Sequence, residues 1–185
     1  IMDEETLLCL LSRYNVPFLT WDTSRAPGSK TREDLLSEIL TGDTVLALSS
    51  SGLLRKTTVA AIDIFYTDVF ATLKLVEDRQ VSTTGQVTRR HLETSIGEKL
   101  HRNEYPIAGA RRALREELGI SHPVKLDFKR VFEKGPLYSK SFPGIKSLFT
   151  LYLFEMNMPA HLFVPNGYTE TQPKKTSYFV WKDIS

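Results

Sequence analysis

The sequence predicts an α/β domain preceded by a small helical extension, and three observations carry that reading. Two stretches before residue 43 place leucines at helical spacing, runs of β-branched and aromatic residues begin at Thr44, and one amphipathic helix interrupts those runs at Pro106–Leu118. The expected division is an extension over 1–43 and a main domain over 44–185. At 185 residues the chain is long enough for one well-cored domain. Its 41% hydrophobic and 25% charged residues are those of an ordinary globular protein. A net charge of +2 is too small to argue for nucleic acid by itself. A lone Cys9 excludes a disulfide framework, suits a reducing intracellular compartment, and is expected in a core. No apolar run approaches the ~18–20 residues of a membrane span, so no membrane partner is expected. No signal peptide is visible at Ile1-Met2, and a removed leader stays open.

In chain order, Asp3-Glu4-Glu5 opens a helix to Tyr14 on Leu7, Leu8, Leu10 and Leu11, ended by Asn15-Val16-Pro17. After a short apolar piece, Phe18–Trp21, a loop is predicted over Asp22–Lys30 around Pro27 and Gly28. Thr31 then caps a helix to Leu40 with Leu35, Leu36, Ile39 and Leu40 as its buried face, and Gly42 closes it. Val45–Leu48 and Leu53–Arg55 flank a hairpin turn at Ser49–Gly52. Strands follow over Thr57–Tyr66 and Val69–Val76, then a turn at Thr83-Thr84-Gly85. The basic run Thr88-Arg89-Arg90-His91 reads as a solvated loop that could instead meet phosphate. Beyond the helix, strands are expected over Val124–Glu133, Ser147–Met158 (the most hydrophobic, hence central) and Tyr178–Trp181. They are separated by loops Lys134–Gly144 and Pro159–Lys175.

The interrupting helix carries the chemistry. Pro106 suits the first turn, where its missing N–H costs nothing. Ile107, Ala110, Leu114 and Leu118 make one apolar stripe, and Gly119 is a left-handed cap. Arg112 lies one turn before Glu116, within pairing reach. Glu117 sits near the negative end of the helix dipole, where a carboxylate is disfavoured by roughly 0.3–1 kcal/mol. A bound divalent cation would offset that cost, and an ordinary solvated charged face is the alternative.

The stretch Gly97–Ile120, GEKLHRNEYPIAGARRALREELGI, resembles the Nudix box. Seven residues separate Glu104 from Arg112, and Leu114, Glu116, Glu117, Gly119 and Ile120 follow in the box's register. Two positions depart from it. Glu98 stands where the box has glycine, with Gly97 just before it, and Ala113 replaces the first of three converging glutamates. The resemblance covers roughly Thr44–Ser185. It implies an α/β/α sandwich around a mixed sheet, with a last helix that would begin where the chain stops at Ser185. It also implies Mg²⁺ or Mn²⁺ and attack on a nucleoside-linked diphosphate. On that resemblance Glu116 and Glu117 are metal ligands, joined by the backbone carbonyl near Gly97, while Glu104 and Arg112 hold the loop against the helix. Lys99, Arg102 and Arg115 are candidates for phosphate contact, as is His101. Glu98, Glu170 and Glu155 are candidate replacements for the missing carboxylate.

Other signals are weak. The four histidines are scattered without metal-ligand spacing, and there is no Cys pair, P-loop or dinucleotide fingerprint. Tyr138, Phe142 and Tyr168 could stack a base, although core filling suits them as well. Two functional readings follow. One is a degenerate Nudix-like module that binds a nucleotide, an RNA end or a protein partner with catalysis reduced or lost. The other is a working pyrophosphohydrolase that uses a substitute carboxylate. A purely structural interaction domain is a third.

Overall fold

The computed structural model describes residues 2–21 and 29–185. The loop expected over 22–30, with Pro27 and Gly28, lies outside the described residues except for Ser29 and Lys30. The elements in order are α1 (Glu4–Arg13), α2 (Arg32–Thr41), β1 (Val45–Ser49), β2 (Gly52–Thr67), β3 (Thr72–Ser82), β4 (Val87–Thr88) and β5 (Ile96–Lys99). They are followed by α3 (Pro106–Leu118), β6 (Asp127–Tyr138), β7 (Lys146–Asn157), β8 (Tyr168–Thr171) and β9 (Lys175–Asp183). Hydrogen bonding orders the strands β6-β7-β2-β3-β9-β8, with β1 and β5 also on β2 and β4 on β3. The pairs β1–β2, β2–β3, β3–β4, β3–β9 and β8–β9 are antiparallel, but along β2 and β7 the residue numbers rise together: Arg55 meets Ser147, and the Met158 N–H donates to Phe65 O. β7 therefore runs parallel to β2. The result is a mixed α/β fold with one large mixed sheet and three α-helices among the described residues.

The chain forms two compact units. The first comprises Ile1–Val59, Lys99–Glu104 and Phe132–Leu151. Its helices start as the sequence dictates. Asp3 accepts the Thr6 N–H at 2.8 Å, and Thr31 and Asp34 form a reciprocal capping box. Gly42 ends α2 in the left-handed region at φ 83°, and a Cβ there would overlap Arg102. The core gathers Leu7, Leu11, Val16, Trp21, Leu35, Leu53, Phe142 and Ile145. Trp21 donates its indole N–H to Pro143 O at 2.8 Å and packs on Phe142. Phe142 is thus a core residue and offers no face for a base. Cys9 is exposed, because the buried face of α1 is set by Leu7 and Leu11 and Cys9 points away from it. The expected apolar face of α2 is also corrected. Leu40 is 53% exposed, and beside Leu35 the buried residue is Glu38. Its carboxylate takes Arg55 at 2.7 Å, Lys99 at 2.6 Å and Lys30 at 2.9 Å, plus the Thr44 hydroxyl at 3.0 Å. Burial works to raise the Glu38 pKa, but hydrogen bonds from Lys99, Arg55 and Lys30 overcome it and hold the group down at about 2.

The second unit comprises Ala60–Glu98, Tyr105–Val131 and Tyr152–Ser185. Its backbone is the long β3–β9 ladder, running from Leu73↔Asp183 to Ser82↔Lys175 with a bulge between Glu77 and Arg79. Its interior holds Ile62, Ile64, Leu75, Ile96, Met156 and Phe179. From α3 it takes Ala110, Ala113, Leu114 and Leu118, while Ile107 is 38% exposed at the helix start. Three strand boundaries differ from expectation. β3 begins at Thr72, because Asp68 accepts the N–H groups of Phe70 and Ala71 and shapes a tip that leaves Val69 and Phe70 exposed. β6 continues, in its first-unit part, through Gly135 to Tyr138; there Gly135 lies so close to Ser147 O that any side chain would collide. β8 occupies part of the stretch expected to be irregular. It is introduced by Gly167 at φ 87°, where a Cβ would overlap the carbonyl oxygen of Phe179 on β9.

Candidate active site

Four elements of the second unit bring acidic side chains together. On α3, Glu116 and Glu117 occupy the last turn. From β5 comes Glu98, bound to Arg112 at 2.8 Å, and Arg112 also reaches Glu116 at 3.4 Å along the helix. From β8 comes Glu170. From β3, at the bulge, comes Glu77, whose side chain is 2% exposed and gripped by Arg90 through Nε at 2.8 Å and Nη2 at 2.6 Å. A bulge redirects side chains, and this one places a charged residue inside a strand's buried row.

Burial pushes the Glu117 carboxyl up to about 9; the negative charges of Glu170, Glu98 and Glu77 add to it, and the Gly97 N–H donated to Glu117 opposes them. Glu98 and Glu170 are also raised, in each case chiefly by burial. Arg90 is raised by its hydrogen bonds to Glu77, with Glu117 and Glu170 contributing. Five carboxylates therefore face two guanidiniums, Arg90 and Arg112. All the side-chain donors are hard oxygens, which suit Mg²⁺ or Mn²⁺. Among the described residues no three His, Cys, Asp or Glu side chains already stand at the spacing of a metal cage. The donor type suits a hard cation, and Glu117, Glu116, Glu98 and Glu170 are the candidates that would have to converge to hold one.

The residues singled out from sequence divide accordingly. Glu98, Glu116, Glu117 and Glu170, with Arg112 and the backbone of Gly97, come together. Glu155 does not join them and lies 3.8 Å from Lys129. Arg115 faces a cavity on another side of α3. Lys99, Arg102 and Glu104 belong to the first unit. There Lys99 pairs with Glu38, the Arg102 N–H donates to Thr41 O, and Glu104 accepts the His101 N–H at 2.9 Å. His101 itself contacts Asp43 at 2.7 Å. Ala113 is fully buried. Tyr138 is exposed, and Tyr168 gives its hydroxyl to Leu162 O at 2.6 Å. Sequence reasoning missed Glu77 and Arg90. The basic run that reads as solvated is paired instead, Arg89 with Asp78 and Arg90 with Glu77. The available signal was a match between two acidic residues on one strand and two arginines eleven and thirteen residues on.

No protein-family model matches the chain, and no curated protein matches it. Among solved structures it is similar to a MutT/nudix family protein from Listeria innocua, at 16% identity and a TM-score of 0.40, over 57% of this chain and 66% of that one. It is also similar to the C. elegans Ap4A hydrolase, at 13% identity and a TM-score of 0.37, over 68% of this chain and 79% of that one. The chain thus spans just under two thirds of the Listeria protein. Among the described residues no helix is long and apolar enough to cross a membrane.

Proposed function

We propose that the carboxylate cluster binds Mg²⁺ or Mn²⁺ and, through it, the diphosphate of a nucleotide-type ligand, whose phosphoanhydride it hydrolyses. The observation that carries this reading is Glu117, half-buried on the last turn of α3, where desolvation and the charges of Glu170, Glu98 and Glu77 push it up to about 9. A group so placed is costly to ionise alone and becomes a strong ligand once positive charge arrives. A bound divalent ion supplies charge neutralisation and lowers the pKa of water. Arg112 orients Glu98 and Glu116, and Arg90 holds Glu77 at the edge of the set. Glu98 or Glu170 serves in place of the carboxylate lost at Ala113. Water oxygen forms the new P–O bond as the anhydride P–O bond breaks, and its proton passes to that carboxylate.

A second reading is favoured by one observation: Ala113 is sealed in the core, so that position contributes no ligand. On this reading the site binds the diphosphate of a nucleotide or RNA end without turning it over. The test is release of phosphate or nucleotide from nucleoside diphosphate derivatives and capped RNA with Mg²⁺ and Mn²⁺. The expected result is metal-dependent turnover that falls by about 10- to 100-fold or more in Glu117→Gln. Binding that survives without turnover selects the second reading. Neither turnover nor binding rejects both and leaves a protein partner.

A further inference from the structure

A second site lies on α3, away from the carboxylates. Arg115 and Glu117 are two residues apart, about 200° around the helix axis, so they serve different faces. On the Arg115 side is a cavity of about 220 Å³, lined by Arg111, Leu114, Arg115, Ile120, Ser121, His122 and Pro123. It is smaller than the roughly 300–1,000 Å³ of a drug- or cofactor-sized pocket, which limits it to a fragment. Leu114 and Ile120 are buried and make an apolar floor, while the two arginines, the Ser121 hydroxyl and the His122 ring stand around it. Arg111 and Arg115 are one turn apart, where like charges repel. Among the described residues neither has a carboxylate partner. Arg111 is anchored by one bond, Nη1 to Val124 O at 3.1 Å, which aims its guanidinium while leaving other N–H groups to donate. The helix dipole favours cations near this end, but that effect does not account for a concave site with polar groups converging on an apolar base.

We propose that this cavity binds a phosphoryl group, Arg115 and Arg111 taking its oxygens, Ser121 and His122 donating from the loop, and the Leu114–Ile120 floor accepting a small apolar portion of the same ligand. Arginine forks match phosphate oxygens, and such charge-assisted bonds are about twice as strong as neutral ones. The site stands independently of the hydrolase reading.

The test is a titration of the full chain with inorganic phosphate and with phenyl phosphate, in EDTA and at constant ionic strength, followed by amide chemical shifts. Saturable shifts are expected at Arg111, Arg115 and residues 120–124, with phenyl phosphate binding more tightly than phosphate. Arg115→Gln is expected to weaken binding by about tenfold or more, Arg115→Lys to retain part of it, and neither to move the melting temperature. Glu117→Gln is expected to leave the titration unchanged. Shifts that never saturate, that chloride reproduces, or that persist with equal affinity in Arg115→Gln would overturn the proposal. Shifts that vanish in Glu117→Gln would assign the response to the carboxylate cluster, and the cavity proposal would fail.

Discussion

Two charge clusters, one in each unit, are built in opposite ways. In the first, one carboxylate, Glu38, receives Lys30, Arg55 and Lys99. In the second, Glu77, Glu98, Glu116, Glu117 and Glu170 share Arg90 and Arg112. Glu38 is held at about 2 and Glu117 at about 9, although desolvation works to raise both. The same desolvation acts on both, and the sign of the surrounding charge decides the outcome. A carboxylate that ends low is already satisfied and serves the fold. One that ends high is short of positive charge around it, the kind of perturbation that functional sites often carry.

The contrast can be broken first at Glu38. Replacing it with Gln leaves three cations around a neutral group, and a loss of about 3–5 kcal/mol is expected, read as a fall in the denaturant midpoint. An unchanged midpoint would mean the cluster is solvated and the comparison empty. The acid limb sharpens the same point. Because the folded value lies below the ordinary 4.5, the stability Glu38 contributes is full above pH 4.5 and fades as the pH falls toward about 2. The shift is worth at most ~3 kcal/mol, and acid titration of Glu38→Gln is expected to lack that component.

In the other cluster the sign reverses. With Glu117 pushed up to about 9, the proposed cation binding is expected to release a proton at pH 7. Mn²⁺ affinity is therefore expected to rise with pH by up to about tenfold per unit below about 9. Calorimetry in buffers of different ionisation enthalpy should count the proton, and a pH-independent affinity would remove Glu117 from the site. In metal-free protein Glu117→Gln is expected to be neutral or stabilising by ~1 kcal/mol at pH 8, since folding no longer has to take up a proton at that carboxyl, whereas Glu38→Gln destabilises at the same pH. The smallest effect is a control. Thr31→Ala removes one half of a capping box and is expected to cost ~1 kcal/mol at both pH 5 and pH 8, because it touches neither cluster.

Much of the fold was legible because its signals are local. Asp3 and Thr31 announce helix starts, Gly42 and Gly119 announce stops, and Ser49–Gly52 announces a hairpin, each within four residues of what it controls. Within the candidate site the helical pair and Glu98 were singled out for the same reason: they lie in one short stretch, Gly97–Ile120. Glu77 was not, because its inward aim depends on a bulge against β9, a strand a hundred residues later. Arg90 was hidden because a basic run looks alike whether it meets water or a buried carboxylate. Glu38 was not singled out, since its partners at Arg55 and Lys99 are visible only once the chain has folded. Leucine spacing alone cannot distinguish a buried leucine from a buried, neutralised glutamate.

Gly167 gives the acidic cluster a mechanical handle. Its bare Cα is what lets the start of β8 lie against the Phe179 carbonyl, and Glu170 follows three residues later on the same strand. A single methyl at that point would lever the strand outward and carry Glu170 with it. The cluster can thus be detuned by geometry alone, with every charge in the protein left unchanged.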